Sequence, residues 1–125
     1  MMDAGELRAS LGQFTGTENY YVNPLFGTGF GYTDGVKFLA ENAGAYWLID
    51  IIGSYQIDRR VKAEDFQLWT LTRKGEGCVV SMTDGNDEKA IITQEVEFTD
   101  FPLETIKFYV CDNGRQKVCM LPSEY

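Results

Sequence analysis

The spacing of apolar residues is helical in two segments before residue 57, 3–13 and 36–56, and alternates after residue 65. In residues 3–13, Leu7, Leu11 and Phe14 recur at spacings of four and three, as on one face of a helix. This segment therefore predicts a short N-terminal helix. The charged residues 57–65 predict a solvated connection between the helical part and a sheet-forming part.

A longer helix is predicted over residues 36–56, with the Asp34 carboxylate as its N-terminal cap. Its apolar residues fall on two nearly opposite sides of a helical wheel, and a helix of this kind is buried on both sides. We therefore expect it in the middle of the molecule, between a sheet and the N-terminal segment. Gly44 is the position at which this helix is expected to kink or to divide into two.

Polar side chains form a narrow seam between the two apolar faces: Asn42, Tyr46 and Asp50 stand at positions i, i+4 and i+8. Asp50 lies within the most apolar run of the chain, and a carboxylate buried there needs hydrogen-bond donors or water. One interpretation is that Asp50 holds a neighbouring loop by accepting hydrogen bonds from its backbone. The other is that the seam lines a groove for a ligand or a partner, completed by three rings of the preceding segment: Tyr20, Tyr21 and Tyr32.

Residues 15–35 are dense in glycine, asparagine, proline and aromatic residues and show no sustained period. They predict an ordered loop whose rings fold onto the core. The GTGFG stretch at 27–31 lacks the Gly-Lys-Ser/Thr ending of a phosphate-binding loop and has no predicted strand before it. Its glycines are therefore interpreted as bends in the chain.

Five segments after residue 65 alternate in polarity and predict β-strands: 66–73, 78–83, 90–98, 104–111 and 117–121. Short turn-like stretches connect them, and Asp112-Asn113-Gly114 is the strongest hairpin signal. Short connections favour an antiparallel meander. In the third strand one face is predicted to be buried (Ala90, Ile92, Val96 and Phe98) and the other to face solvent (Thr93, Glu95 and Glu97).

These elements predict one α+β domain over residues 1–125, with two layers. The N-terminal helix and loop occupy 1–35, the central helix 36–56, and the sheet 66–121. The central helix is expected to cover the buried face of a meander of about five strands.

The net charge of −8 bears on which partners the protein has. Affinity for nucleic-acid phosphates comes largely from lysine and arginine, so direct binding to nucleic acid is disfavoured. An acidic surface suits basic patches on other proteins, including the nucleic-acid channels of nucleases. The acidic face predicted for such contacts comprises Asp87, Glu88, Glu95 and Glu97.

The chain contains no histidine, which removes Ser-His-Asp and Cys-His catalysis and most zinc sites. Its three cysteines, Cys78, Cys111 and Cys119, have no C-x-x-C spacing and are expected to be reduced thiols in or near the core. Residues 84–88 resemble a calcium loop only superficially and are interpreted as a hairpin turn. We therefore expect no catalytic residues, no metal and no cofactor.

The chain shows no apolar stretch of the roughly 18 residues that a membrane span needs. The first ten residues have neither the basic start nor the apolar core of a secretory signal. These features lead us to expect a cytoplasmic protein that does not bind membranes.

Several motifs resemble a bacterial and phage family of unknown function, DUF6876: FTGTENYY, YTDGVKFLAENAGAYWLIDIIGSYQ, FQLWTL, TDFPLETIKFYV and LPSEY. The resemblance extends from about residue 13 to residue 125, and its most specific parts are 33–36 and 45–50. The chain lacks a His-Trp pair associated with the family in the loop VNPLFGTGFG. The resemblance implies a short cytoplasmic protein often carried on phages, plasmids or integrated elements, and implies no activity or site.

Charge and resemblance together favour a protein-binding accessory protein of mobile elements, in its sharper form an inhibitor of a host defence nuclease. The alternative is a small-molecule-binding protein or an enzyme. Its pocket would lie between the aromatic loop and the seam of Asn42, Tyr46 and Asp50. A homodimer formed through an edge strand or exposed aromatic residues is a third hypothesis.

Overall fold

A computed structural model describes residues 2–22, 29–86 and 89–125. In this part of the chain, four α-helices accompany one seven-stranded sheet. The helices are α1 (Ala4–Leu11), α2 (Asp34–Ala43), α3 (Tyr46–Ser54) and α4 (Arg59–Lys62). The strands are β1 (Tyr20–Val22), β2 (Phe30–Thr33), β3 (Phe66–Lys74), β4 (Gly77–Thr83), β5 (Ile92–Val96), β6 (Thr105–Asp112) and β7 (Lys117–Met120). Short 3-10 turns occupy Tyr55–Ile57 and Pro122–Glu124.

The α+β class is confirmed, but the prediction of one central helix over 36–56 is wrong. The helix divides at Gly44, as the sequence had suggested, because this residue takes the left-handed conformation at φ 60° and caps α2. The N-terminal cap also differs from the expectation. Thr33 Oγ1 accepts from the Val36 N–H at 3.4 Å, while Asp34 is the first residue of the helix.

The five predicted strands exist, yet they do not form a simple meander. Strand order across the sheet is β1-β2-β7-β6-β3-β4-β5. Strands β3, β4 and β5 follow one another as hairpins, and the chain then returns to add β6 on the other side of β3. Two backbone bonds hold this return segment: Thr99 N–H to Glu76 O at 2.9 Å and Arg73 N–H to Glu104 O at 2.8 Å. The antiparallel pairing of β6 with β3 replaces the expected pairing with β5.

Two strands come from the segment 15–35, which the sequence predicted as a loop. β1 and β2 pair antiparallel, and β2 pairs parallel with β7, which places Phe30 opposite Lys117 and Tyr32 opposite Cys119. Strands of three and four residues are too short to show a period. β1 pairs only with β2, and β2 joins the sheet through β7 at the far end of the sequence, so local pattern did not reveal either strand. Residues 23–28 of the predicted loop lie outside the described residues.

One face of the sheet and the helices share a continuous hydrophobic core. Trp69, Leu71 and Phe108 from the sheet and Leu48 and Ile52 from α3 are nearly fully buried there. The prediction for the third strand is confirmed at Ile92 and wrong at Ala90 and Phe98, both of which are exposed. Phe98 is exposed because β5 ends at Val96 and the chain then leaves the sheet.

The C-terminal residues are tied to the start of α2. The Glu124 carboxylate accepts from Thr33 Oγ1 at 2.6 Å, from the Leu121 N–H at 3.0 Å and from the Gly35 N–H at 3.2 Å. A carboxylate at this position also interacts favourably with the positive end of the helix dipole. Glu124 thus joins α2, β2 and the end of the chain.

Replacing Glu124 by alanine is expected to lower the free energy of unfolding by about 2 kcal/mol, because hydrogen bonds to a charged acceptor contribute about 1.5–3 kcal/mol and this residue is half-buried. Urea denaturation at neutral pH measures the change. Glu104→Ala is the matched control, since the exposed Glu104 side chain makes no hydrogen bond or ion pair within the described residues. Equal effects of the two changes would contradict the role given to Glu124.

Candidate functional site

The aromatic residues of β1 and β2 form a fixed cluster beside α2. The rings of Tyr21 and Tyr32 stack with centroids 5.7 Å apart, and Lys37 Nζ lies 4.9 Å from the centre of the Tyr21 ring. Lys37 also pairs with Glu41 at 2.9 Å across one helical turn. Tyr20 is exposed and is the neighbour of Tyr21 in the strand, so its side chain points to the opposite side of the sheet.

Asp34 holds the preceding segment against α2. Its Oδ2 accepts from the Glu18 N–H at 3.0 Å, and its Oδ1 accepts from the Tyr21 hydroxyl at 2.8 Å. The Glu18 N–H, followed by the Tyr21 hydroxyl, holds the pKa of this carboxyl below its ordinary value. The hydrogen bond from the Tyr21 hydroxyl to Asp34 raises the pKa of Tyr21. Asp34 and Tyr21 therefore have a structural role in this part of the molecule.

The predicted seam is divided by the break at Gly44, with Asn42 on α2 and both Tyr46 and Asp50 on α3. The Asn42 side chain donates to Phe38 O at 2.9 Å, within its own helix. Desolvation by partial burial raises the pKa of Tyr32, and the Asp50 charge adds to this shift. Desolvation likewise raises the pKa of Tyr46, with Tyr32 adding to it. Tyr32, Tyr46 and Asp50 therefore belong to one region of the surface.

A cavity of about 610 Å³ lies at the other end of α3 from Tyr46, and neither Asn42 nor Asp50 lines it. Its walls are Gly29 with the first residue of β2 (Phe30), the end of α3 with the following 3-10 turn, and the β6–β7 hairpin. The aromatic segment thus borders a cavity, but through Gly29 and Phe30 and not through its tyrosines. Four charged residues line it: Lys62, Asp112, Arg115 and Lys117.

Lys117 has a structural role in the wall of this cavity. Its ammonium group donates to the carbonyls of Val61 at 3.3 Å, Lys62 at 2.8 Å and Glu64 at 3.0 Å. These bonds use all three of its protons and tie the end of α4 to β7. Burial lowers the pKa of Lys117, with the nearby carboxylates opposing that shift.

A buried amide network lies behind the cavity, and sequence analysis missed it. Gln67 is fully buried on β3, and its Oε1 accepts from Trp69 Nε1 at 2.8 Å and from Gln56 Nε2 at 3.0 Å. Its Nε2 donates to Gln56 Oε1 at 2.9 Å and to Val61 O at 3.2 Å. The available signal was a glutamine at an inward position of an apolar strand, FQLWTL. This network fixes the 3-10 turn that forms one wall of the cavity.

The predicted acidic face is described only in part, because Asp87 and Glu88 lie outside the described residues. Glu95 and Glu97 are exposed, at the end of β5 and just after it. Together with Glu76 from the β3–β4 turn they border a shallow depression of about 400 Å³. We name Glu76, Glu95, Glu97 and the neighbouring Phe98 the acidic edge.

All three cysteines are free thiols. Cys119 is completely buried, and that burial raises the pKa of its thiol well above the ordinary value. Within residues 2–22, 29–86 and 89–125 no group of three or more Cys, Asp or Glu side chains is arranged to hold a metal ion. Among the helices of these same ranges, none has the length and apolar character needed to cross a bilayer.

The fold defines an α+β protein built on a mixed sheet, in which one parallel pair joins the two ends of the chain. The chain belongs to the family of unknown function DUF6876, whose sequence profile matches residues 5–125. This match confirms the resemblance found in the motifs.

The fold is also similar to that of a protein of unknown function from Enterococcus faecalis, known from a crystal structure. The two chains are 19% identical and superpose with a TM-score of 0.59, over 78% of this chain and 91% of that chain. Identity at this level supports a shared fold. A search of curated proteins found no match.

Proposed function

We propose that this protein binds another protein through the acidic edge, and that the partner presents a basic segment. Phe98 is the observation that carries the proposal: 72% of this large apolar side chain is exposed, directly after Glu97. Protein interfaces commonly place an aromatic anchor within a polar rim. Burying such a ring contributes about 1.5–3 kcal/mol.

The carboxylates around Phe98 are available to a partner. The ion pairs found in the described parts of the chain are Lys37–Glu41 and Asp58–Arg60, and neither involves the acidic edge. Glu76, Glu95 and Glu97 therefore form no ion pair within the described residues, although Lys74 borders the same depression. Complementary charge of this kind increases association rates and selects basic partners.

The backbone of β5 offers a second means of contact. β5 is the last strand of the sheet and pairs with β4 on one side only. An edge strand has unpaired N–H and C=O groups to which an extended peptide can add as a further strand. A peptide added there would place basic side chains near Glu95 and an apolar side chain near Phe98.

Capture from a host lysate tests the proposal, using the immobilised wild-type protein and a triple variant, Glu95→Gln, Glu97→Gln and Phe98→Ser. We expect the wild type to retain at least one protein in stoichiometric amount and to release it at high salt. The amount retained on the variant should be about tenfold lower, because loss of an anchor and its charges costs more than about 1.4 kcal/mol. Quantitative mass spectrometry measures the retained amounts.

The control is Glu6→Gln with Glu18→Gln, which removes two exposed carboxylates from another part of the surface. This control should retain the partner as the wild type does. Equal retention on wild type and triple variant, or no retained protein at all, would contradict the proposal. Sedimentation of the wild type alone examines the homodimer hypothesis separately.

The finer form of the proposal is an accessory protein of phages or plasmids that occupies the nucleic-acid channel of a host nuclease. It is supported by the net charge of −8 and by the resemblance to the family. A retained nuclease that DNA displaces from the immobilised protein would support this form. A retained partner that DNA leaves in place would restrict the proposal to protein binding.

A further inference from the structure

We propose that the cavity between β2, the end of α3 and the β6–β7 hairpin binds a small organic anion, with Arg115 and Lys62 holding its acidic group. The cavity volume of about 610 Å³ falls within the range of roughly 300–1,000 Å³ that small-molecule sites occupy. It combines apolar wall, at Phe30 and Gly53, with a few polar side chains. That combination is the usual composition of a ligand site.

Two cations at this cavity have no side-chain partner among the described residues. In the residues that the structure describes, the side chains of Lys62 and Arg115 take part in no hydrogen bond or ion pair. The chain carries 19 acidic and 11 basic residues, so carboxylates are in excess for pairing. Two unpaired cations around one cavity therefore leave positive charge that an anion can neutralise.

The other two charged side chains at the cavity, Lys117 and Asp112, already take part in hydrogen bonds. Lys117 uses its protons on the carbonyls at the end of α4, and the carboxylates of Glu64 and Asp65 lie near it. Asp112 Oδ1 accepts from the Gly114 N–H at 2.8 Å within the hairpin turn. Recognition of an anion is accordingly assigned to the guanidinium of Arg115 and the ammonium of Lys62.

The turn that carries Arg115 is preorganised. Asn113 Oδ1 accepts from the Arg115 N–H at 3.0 Å and from the Gln116 N–H at 2.9 Å, and the Asn113 N–H donates to Gln116 O at 3.0 Å. A turn fixed in this way loses little conformational entropy when a ligand binds. The Gln116 side chain also lines the cavity and supplies an amide for hydrogen bonding.

The ligand class follows from these groups. A guanidinium binds a carboxylate or a phosphate through paired hydrogen bonds, and an ammonium adds a second charge. The apolar wall at Phe30 favours an organic body attached to that acidic group. This site is separate from the acidic edge, because β2, β6 and β7 lie on the opposite side of β3 from β4 and β5.

Titration with benzoate and with phenyl phosphate, followed by two-dimensional amide NMR of the full chain, tests the inference. We expect at least one of them at millimolar concentration to shift the amides of Gly29, Gly53, Arg115 and Gln116. Benzyl alcohol, which has the ring without the charge, is expected to cause no such shifts. Changing both Arg115 and Lys62 to alanine should weaken binding about tenfold or more, as expected on losing charge-assisted hydrogen bonds.

The control is Lys74→Ala with Lys107→Ala, which removes the same charge at exposed positions outside this cavity and should leave binding unchanged. Retained thermal stability of both double variants shows that the fold is intact. The inference is overturned if neither anion shifts these amides. It is also overturned if the shifts map to Tyr32, Tyr46 and Asp50, or if both double variants weaken binding equally.

Discussion

Replacing Gly77 by alanine is expected to lower the free energy of unfolding by about 3 kcal/mol or more, because the added methyl group collides with the neighbouring backbone, which must shift away. A Cβ atom at Gly77 would overlap Val96 O and stand 2.7 Å from Glu97 O. The backbone bond from Thr99 to Glu76 holds this return segment in place, so the collision would displace the end of β5. Urea denaturation followed by tryptophan fluorescence measures the loss.

Gly75 in the same turn provides the matched control. It has φ 61°, and an added Cβ would meet no heavy atom within 4 Å. Gly75→Ala should therefore cost only the strain of a left-handed alanine, about 1–2 kcal/mol. A Gly77→Ala protein no less stable than the Gly75→Ala protein would show that the return segment does not lie against β4 as described.

Replacing Gln67 by leucine is expected to cost about 3 kcal/mol, because the buried Trp69 indole N–H loses its only described acceptor while other polar groups each lose one of their partners. The Trp69 indole N–H would lose its acceptor, and the carbonyls of Val61 and Glu64 would lose a donor. The half-buried Gln56 amide would also be left in part unpaired. Thermal and urea unfolding measure the effect, and altered Trp69 fluorescence in the folded state should accompany it.

Thr72→Leu introduces the same side chain at an exposed position of the same strand, and it should change stability by no more than about 0.5 kcal/mol. If Gln67→Leu proved as stable as the wild type, burying the leucine would have compensated for the lost hydrogen bonds. The network would then be dispensable for folding. Because Gln56 also lines the cavity, weakened anion binding in a stable Gln67→Leu protein would assign the network to positioning that wall.

The two proposed sites lie on opposite parts of the sheet, so each can be tested without disturbing the other. The acidic edge belongs to the β3–β4 turn, the end of β5 and the return segment, whereas the cavity belongs to β2, the end of α3 and the β6–β7 hairpin. The acidic-edge variants and the Arg115 and Lys62 variants keep the two proposals distinguishable.

Much of the secondary structure could be predicted from the sequence, because it depends on interactions between residues close together in the chain. Alternation of side chains placed β3, β4 and β6 within one residue of their observed starts and ends, and Asp112-Asn113-Gly114 correctly marked the β6–β7 turn. The spacing of Leu7 and Leu11 identified α1. Gly44 marked the point of division, because glycine adopts the left-handed backbone conformation more easily than other residue types.

The candidate sites were less accessible to sequence reasoning. The seam of Asn42, Tyr46 and Asp50 assumed one continuous helix, and a break of two residues changed the relation of Asn42 to the other two. The acidic residues of β5 were identified from alternation, but Phe98 was assigned to the wrong face because the end of the strand was misplaced. The cavity was not foreseen, since its walls come from three separate parts of the chain.

The sequence by itself determined the α+β class, the positions of five strands and the net acidity of the surface, because periodicity, turn residues and charge act within a few neighbouring residues. The tertiary structure decided the order of the strands, the recruitment of β1 and β2, the buried Gln67 network and the arrangement of cations around the cavity. These features depend on contacts between distant segments, where the partner of each strand is selected by the packing of the whole core rather than by its own pattern.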